Sequence, residues 1–391
     1  MSHLYRSVFP LTQQSEYKQN QTNKFVLGTE GQSILPGSVR ITGTCSITQN
    51  GDPVVAEQIF YDPLVGYHGL FAKIESGTRA QSTVETLTYY PRLVKTKASG
   101  RSYAVSLAVD SFNSIEGRAG SLQQVQGLIQ GLGTDEADSV ADTNMPFSIV
   151  PDIWLNKLDS ALPGSRIGNE VIIQFTMSPI QQFLFGADVD ANTSYSVKDL
   201  KVQWEAIPET PNGNKNPINY EKYVDDRQLM NSGVTSINVV APGVMVDSVH
   251  MTFVNSNSEF SLSSNFLQCE APPGQAPYVP VGVTSNTMYN YGLERIIWSI
   301  NNSDTSVSGF VQDNREEILW NGLRSLNLEP MAWSSMINDP FAPDRYLVGI
   351  PFGGLQDLMS KRFAVQLYSK CDSTVTNTYV CYIFFRATGS I

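Results

Sequence analysis

Charge is scarce in this chain. Only 16% of its 391 residues are Asp, Glu, Lys or Arg, against a usual share of roughly 25%. A coiled coil, which needs long runs of Ala, Glu, Lys and Leu, is thereby excluded. Positive charge is scarcer still: 26 Lys and Arg stand against 37 Asp and Glu, a net of −11, with the basic residues scattered singly. Neutralising phosphates takes clustered cations, so direct binding of nucleic acid is not expected. Histidine is limited to His3, His68 and His250, a poor stock for acid–base chemistry. Four cysteines, Cys45, Cys269, Cys371 and Cys381, form no CxxC pair and read as buried or half-buried thiols. Cys371 and Cys381 flank a turn, but no disulfide is expected between them in a reducing compartment. No apolar run approaches the ~20 residues that span a bilayer. The opening MSHLYRSVFPLTQQSEYKQN lacks a charged-then-apolar signal pattern. The expectation is a soluble protein made in a cytosol.

What fills the space left by charge is Ser, Thr, Asn, Gln and Gly, together with 21 Pro, 18 Phe and 17 Tyr. The aromatics exclude a mostly disordered chain, and the mixture is that of short strands joined by polar loops. In Val39–Ile47 the residues Val39, Ile41, Gly43, Cys45 and Ile47 share one face, the period of a half-buried strand. Asn50-Gly51 follows, a strong hairpin signal because both positions accept positive φ. Further strands are expected at Leu70–Ile74, Thr83–Tyr90, Tyr103–Val109, Glu170–Met177 and Asp199–Ile207, the last with Leu200, Val202, Trp204 and Ala206 inward.

Residues 1–24 are polar and without periodicity, and are expected to form an extended N-terminal arm. Residues 25–208 then make a first β domain. Pro208–Asn219 is dense in Pro, Gly and Asn and continues neither helix nor strand. Residues 209–228 therefore read as a linker, with a short helix over Tyr220–Met230 bridging to a second β domain, residues 229–391. Its expected strands are Met245–Val254, Phe260–Cys269, Tyr278–Val283, Arg295–Ile300, Phe363–Ser369 and Tyr379–Ala387.

The two halves close alike. VIIQFTM (Val171–Met177) precedes LKVQWEAI (Leu200–Ile207), and FAVQLYS (Phe363–Ser369) precedes YVCYIFFRA (Tyr379–Ala387), at offsets of about 180 to 190 residues. Helices are few. Asp313–Leu326 is acidic at its start and amphipathic through Ile318, Leu319, Leu323 and Leu326; Pro151–Asp159 is a shorter candidate. The Gly-rich stretch Ser111–Asn144 reads as an excursion from the first domain, its acidic run Asp135–Asp142 as a solvated loop.

No HExxH, GxSxG, phosphate-binding glycine loop or GxGxxG occurs. Asp188–Asp199 partly matches a calcium-loop register through Asp188, Asp190 and Asn192, but Thr193 stands where the turn glycine belongs and Asp199 where the bidentate Glu does. An Asn- and Asp-rich turn accounts for it more simply. Adjacent carboxylates such as Asp225-Asp226 and Glu316-Glu317 read as solvated helix starts. The Tyr89-Tyr90-Pro91 and Tyr289/Tyr291 aromatics read as core or subunit-contact residues before sugar platforms. No catalytic, cofactor-binding or metal residue is assigned, and no enzyme is expected.

Two consecutive strand-rich domains of similar size point to an all-β chain of two paired jelly rolls with few short helices. YSVKDLKVQWEAIPE (Tyr195–Glu209), TVETLTYYPRLVK (Thr83–Lys95), GLERIIWSINNSD (Gly292–Asp304) and KRFAVQLYSKCDSTVTNTYVCYIFFR (Lys361–Arg386) give the chain, from about residue 25 to 391, a resemblance. It resembles the double-jelly-roll major capsid proteins of the tectivirus and adenovirus-like lineage, most nearly those of polinton-like viruses and virophages. The resemblance implies two consecutive eight-stranded jelly rolls per chain and a homotrimer with pseudo-six-fold outline that tiles an icosahedral virion. The implied partners are copies of itself, neighbouring capsomers, penton or minor capsid proteins and an internal membrane. Without a signal pattern, synthesis in host cytoplasm is expected, and the polar, patternless residues 1–24 are expected to lie beneath the shell and tie neighbouring trimers or an internal membrane. The alternative reading is a β-sandwich receptor- or glycan-binding protein, such as a spike, minor vertex protein or lectin.

Overall fold

The computed structural model describes residues 3–53, 60–61, 65–99, 145–185, 191–210, 216–231, 236–240, 244–256, 265–268, 288–291, 293–300, 303–304, 311–312, 315–327, 348–359, 361–369 and 379–391. The expected strands Tyr103–Val109 and Tyr278–Val283 and the Ser111–Asn144 excursion lie outside these residues, as do Cys269 and Cys371. The chain forms two compact units. One holds the residues up to Val94, the stretch ending at Tyr223 and the C-terminal Gly389–Ile391; the other holds Lys95–Tyr103 and Val224–Thr388.

In the first unit eight strand positions follow one another: Leu4–Val8 with Tyr17–Lys18, Thr22–Gly28, Arg40–Gln49, Phe71–Thr78, Glu85–Leu87, Met145–Ile149, Glu170–Met177 and Thr193–Pro208. Numbered in that order, they pair 1-8-3-6 in one sheet and 2-7-4-5 in the other. The eighth strand is sandwiched: Val202 faces Val8 on one edge and Ile41 on the other. Short strands Gln32–Ile34 and Leu162–Pro163 lengthen the first sheet. Between the faces, the rings of Phe25, Phe71 and Phe175 meet at 5.2–5.5 Å between centroids.

A second roll, built mostly from the other unit, repeats this order. Its strands are Asn219–Met230, Ser236–Val240, Met245–Asn255, Leu293–Ile300, the short Ser303–Asp304 and Val311–Gln312, Val348–Asp357, Arg362–Ser369 and Tyr379–Ser390. Counting the two short strands as the fifth position, the sheets again run 1-8-3-6 and 2-7-4-5. Each face contributes alternate residues to one core: Val249, Met251, Ile350, Ile383 and Phe385 from one, Ile237, Ile296, Trp298, Phe363 and Val365 from the other. Phe363 bridges them, 5.6 Å from Phe385 and 5.8 Å from Trp298. This pairing order, found twice, is the double jelly roll expected from the sequence.

Each roll places a helix after its fifth strand position, Tyr90–Ser99 in one and Arg315–Ser325 in the other. The second is the amphipathic helix expected at Asp313–Leu326, with Ile318, Leu323 and Leu326 buried. The first replaces part of an expected strand. Only Glu85–Leu87 of Thr83–Tyr90 is extended, because Pro91 fits the first turn of a helix and lacks the N–H that a ladder would need. Pro151–Asp159 shortens to a single 3₁₀ turn, Trp154–Asn156.

Two further expectations are corrected. Residues 1–24 are not a free arm: Leu4–Val8 lies antiparallel on Leu4↔Ala206 through Val8↔Val202, and Tyr17–Lys18 pairs with Ser196–Val197. Leu4–Val8 and Tyr17–Lys18 form the first strand of the first roll, and residues 22–24 begin its second. Likewise Tyr220–Met230 is no linker helix but part of the strand Asn219–Met230, first in the second roll. Its buried residues Tyr220 and Tyr223 are three apart, which mimics a helical face, yet the backbone pairs with Tyr379–Ser390.

Local signals place the strands accurately elsewhere. Asn50 and Gly51 turn the chain at φ 55° and 87°, and Gln49 then faces Asp52 across the hairpin. In Thr193–Pro208 the inward set shifts from Tyr195 and Val197 to Leu200, Val202, Trp204 and Ala206. The shift occurs at a bulge, where Lys198 faces Thr44 but Lys201 faces Thr42, and Asp199 takes φ 52°. Close packing fixes Gly164, where an added Cβ would overlap the Thr29 carbonyl oxygen. Gly164→Ala is expected to cost about 2–3 kcal/mol through backbone displacement. Urea unfolding checks this, and an unchanged midpoint would contradict the packing described.

Candidate functional site

The three histidines that sequence reading weighed for chemistry are all placed structurally. His3 lies 3.4 Å from Glu205 at the surface. His250 is buried and stacks on Phe384, centroids 5.4 Å apart. His68 is buried with Nδ1 2.6 Å from the Tyr90 hydroxyl, which also accepts the Asp152 backbone N–H at 3.3 Å. Of the calcium-like stretch, Thr193 onward is strand, so Ser194, Ser196 and Asp199 do not curl into a loop; Asp188 and Asp190 lie outside the described residues. Among the described residues no group of three or more His, Cys, Asp or Glu is placed to hold a metal ion. Asp225 and Asp226 sit on a strand, where Asp226 accepts the Arg227 backbone N–H at 2.8 Å. Cys45 and Cys381 are free and buried, and burial pushes the Cys45 thiol up to about 12. Such thiols are inert.

The densest ionisable cluster was not foreseen. Glu85, on the fifth strand of the first roll, is 3% exposed. Its two carboxyl oxygens accept the backbone N–H groups of Trp154 and Tyr223, each at 2.8 Å. Burial raises its pKa from 4.5 to about 7, against the opposing pull of the Lys157 ammonium and of those two N–H groups. Lys157 Nζ lies 2.7 Å from Asp152, 3.9 Å from Glu221 and 4.1 Å above the Tyr223 ring. Burial favours the neutral amine, but Asp152, Glu85 and Glu221 outweigh it and hold the Lys157 pKa above its ordinary value. Lys222 donates to the Val84 carbonyl at 3.0 Å, and burial lowers its pKa. The cluster fastens three chain segments of one unit to a single carboxyl. The sequence signal that could have found it is slight: a lone charge, Glu85, in the short run of residues 83–87.

The surface carries the other departure from an ordinary protein. Large apolar side chains stand exposed at Tyr5, Phe9 and Leu11 on and just after the N-terminal strand, at Met245, Leu355 and Met359 in the second roll, and at Leu229 and Trp320. Leu4–Val8 is the outer strand of its sheet among the described residues. An exposed apolar strand edge is a template for pairing with another chain.

No family model matches the chain, and no curated protein matches it. Solved structures do. The Faustovirus major capsid protein superposes with a TM-score of 0.59 at 10% identity, covering 100% of this chain and 90% of that one. PBCV-1 VP54, as fitted into a reconstruction of the virophage Sputnik, gives 0.58 at 10% identity, over 100% of this chain and 94% of that one. A chain of the Sputnik virophage structure gives 0.51 at 12% identity, over 100% of this chain and 86% of that one. The fold is the double jelly roll of viral major capsid proteins. In a double jelly roll of this kind the exposed apolar side chains on each roll are the candidate functional surfaces, and the Glu85 cluster is an internal anchor.

Proposed function

We propose that this chain is the major capsid protein of an icosahedral virus and acts by self-assembly rather than catalysis. One observation carries the reading: the same pairing order, 1-8-3-6 and 2-7-4-5, occurs twice in one chain. Three copies of such a chain supply six similar blocks, so a trimer takes a nearly hexagonal outline and packs with six neighbours. The first roll comprises residues 25–208 with the N-terminal strand added, and the second residues 229–391 with the Asn219–Met230 strand added.

The exposed Tyr5, Phe9, Leu11, Met245, Leu355 and Met359 support burial against further copies, since contacts between protomers are richest in aromatic and Met side chains. The net charge of −11 supports a shell whose genome contact is made by other components, and it limits premature association of free capsomers. Its partners are then other copies, penton or minor capsid proteins and an internal membrane, in a virion assembled from protein made in the host cytoplasm. Sedimentation equilibrium tests the reading. The expected mass is three times the 43.1 kDa chain. A monomer or dimer at every concentration and salt would overturn it.

A further inference from the structure

The second roll carries a cleft of about 540 Å3 lined by Asp247, Arg324, Asn327, Gly353, Leu355 and Arg386. It exists because a ladder is interrupted. Val246 faces Gln356 and Ser248 faces Pro351, so four residues, Phe352–Leu355, stand opposite Asp247 alone. Phe352 is buried and anchors this excursion, while Gly353 turns it at φ 73°. A Cβ added at Gly353 or Gly354 would meet nothing within 4 Å, so the backbone there faces open space. Glycine in such a position lets another backbone come close.

The charge in the cleft is arranged rather than scattered. The Arg386 side chain is 6% exposed and donates from Nε to Asp247 at 2.7 Å. Asp247 also lies 3.2 Å from the Ser248 hydroxyl, whose shorter bond goes to the Ser325 carbonyl at 2.8 Å, so it is Arg386 that engages the Asp247 charge from within the roll. Arg324 is exposed on the last turn of Arg315–Ser325, and Asn327, at φ 56°, closes that helix with its N–H on the Arg324 carbonyl. A cation is favoured at a helix C-terminus, which accounts for the residue type, but leaves its guanidinium at the cleft mouth. Two guanidiniums against one engaged carboxylate give a cationic cleft in a chain with eleven more acids than bases. Beside it lie the exposed Leu355, Met245 and Met359: Met245 faces Asp357 across the ladder, and the Met359 N–H donates to the Asp357 carboxylate at 2.9 Å.

We propose that this cleft receives a carboxylate-bearing surface segment of a second copy of this chain, with Arg324 as its charged anchor and Leu355 as its apolar rim. The inference rests on the capsid reading and adds to it the surface and chemistry of one contact between copies. Charge complementarity selects the occupant, because this chain carries 37 Asp and Glu against 26 Lys and Arg.

Sedimentation velocity of the full chain tests it, with Arg324→Glu, Arg324→Lys and Leu355→Asp compared over a range of salt. Both altered residues are exposed, and thermal unfolding verifies that each variant is folded. Arg324→Glu is expected to weaken association by about tenfold or more and to flatten its salt dependence. Arg324→Lys is expected to retain most of it, and Leu355→Asp to weaken it at all salt concentrations. If wild type assembles and Arg324→Glu and Leu355→Asp assemble equally well, the cleft is not the contact and the capsid reading stands. A wild type that never associates removes both.

Discussion

Glu85→Ala is expected to destabilise the first unit by about 3 kcal/mol or more at pH 6, because two buried backbone N–H groups lose a carboxyl acceptor at once. Trp154 and Tyr223, which own those groups, are 0% and 2% exposed, so water cannot replace the carboxyl without opening the packing. The effect carries a pH signature. The carboxyl titrates near 4.5 when unfolded and at about 7 when folded. A folded pKa above the unfolded one means that the fold binds the proton more tightly. The resulting stability is full below about pH 4.5 and is lost as pH rises through 7, a span worth about 3 kcal/mol. Lys157, with its pKa raised, keeps its proton across that window and adds no slope there. Glu85→Gln retains one acceptor and removes the titration. Its stability relative to wild type should therefore improve between pH 5 and pH 8 in urea unfolding. A constant difference over that range would show that Glu85 does not titrate with the fold.

Trp298→Ala is expected to cost about 3–5 kcal/mol in the second roll. The indole is fully buried between sheets, against Phe363, in a core assembled from both faces. Its Nε1 has no hydrogen-bond partner among the described residues. Trp298→Phe keeps most of the apolar volume and removes that polar group, so the two losses partly cancel. The expected cost is below about 1.5 kcal/mol. Denaturant midpoints of the two variants separate the contributions. Equal losses would mean that the indole nitrogen, rather than the ring's volume, holds the core.

Much of this fold is legible in the residues, and the failures share one cause. Interior strands announce themselves through alternation, as in Glu170–Met177 and Thr193–Pro208, because both partners are present and one face is buried. Each roll's first strand went unread. Leu4–Val8 leaves Tyr5, Arg6 and Ser7 exposed in succession, so its pattern is set by the edge rather than by a core face. Asn219–Met230 has an inward tyrosine at positions 220 and 223, and pairing with Tyr379–Ser390 overrides the helical spacing. The bulge at Asp199 also escapes a period-of-two reading, since the inward set changes parity within one strand. The Glu85 cluster was illegible for another reason. Its members come from positions 85, 152, 157 and 221, and only the folded chain brings them together.

Exposed apolar side chains were equally hidden, since Tyr5, Leu355 and Met359 resemble core residues until the fold turns them outward. The proposed capsomer would bury them between copies. Averaged images of the main assembled species, stained or vitrified, address this most directly. Two like rolls per chain predict a hexagonal particle of six lobes, three pairs around a three-fold axis. Particles with two or four lobes, or single chains at every concentration, would contradict the capsomer.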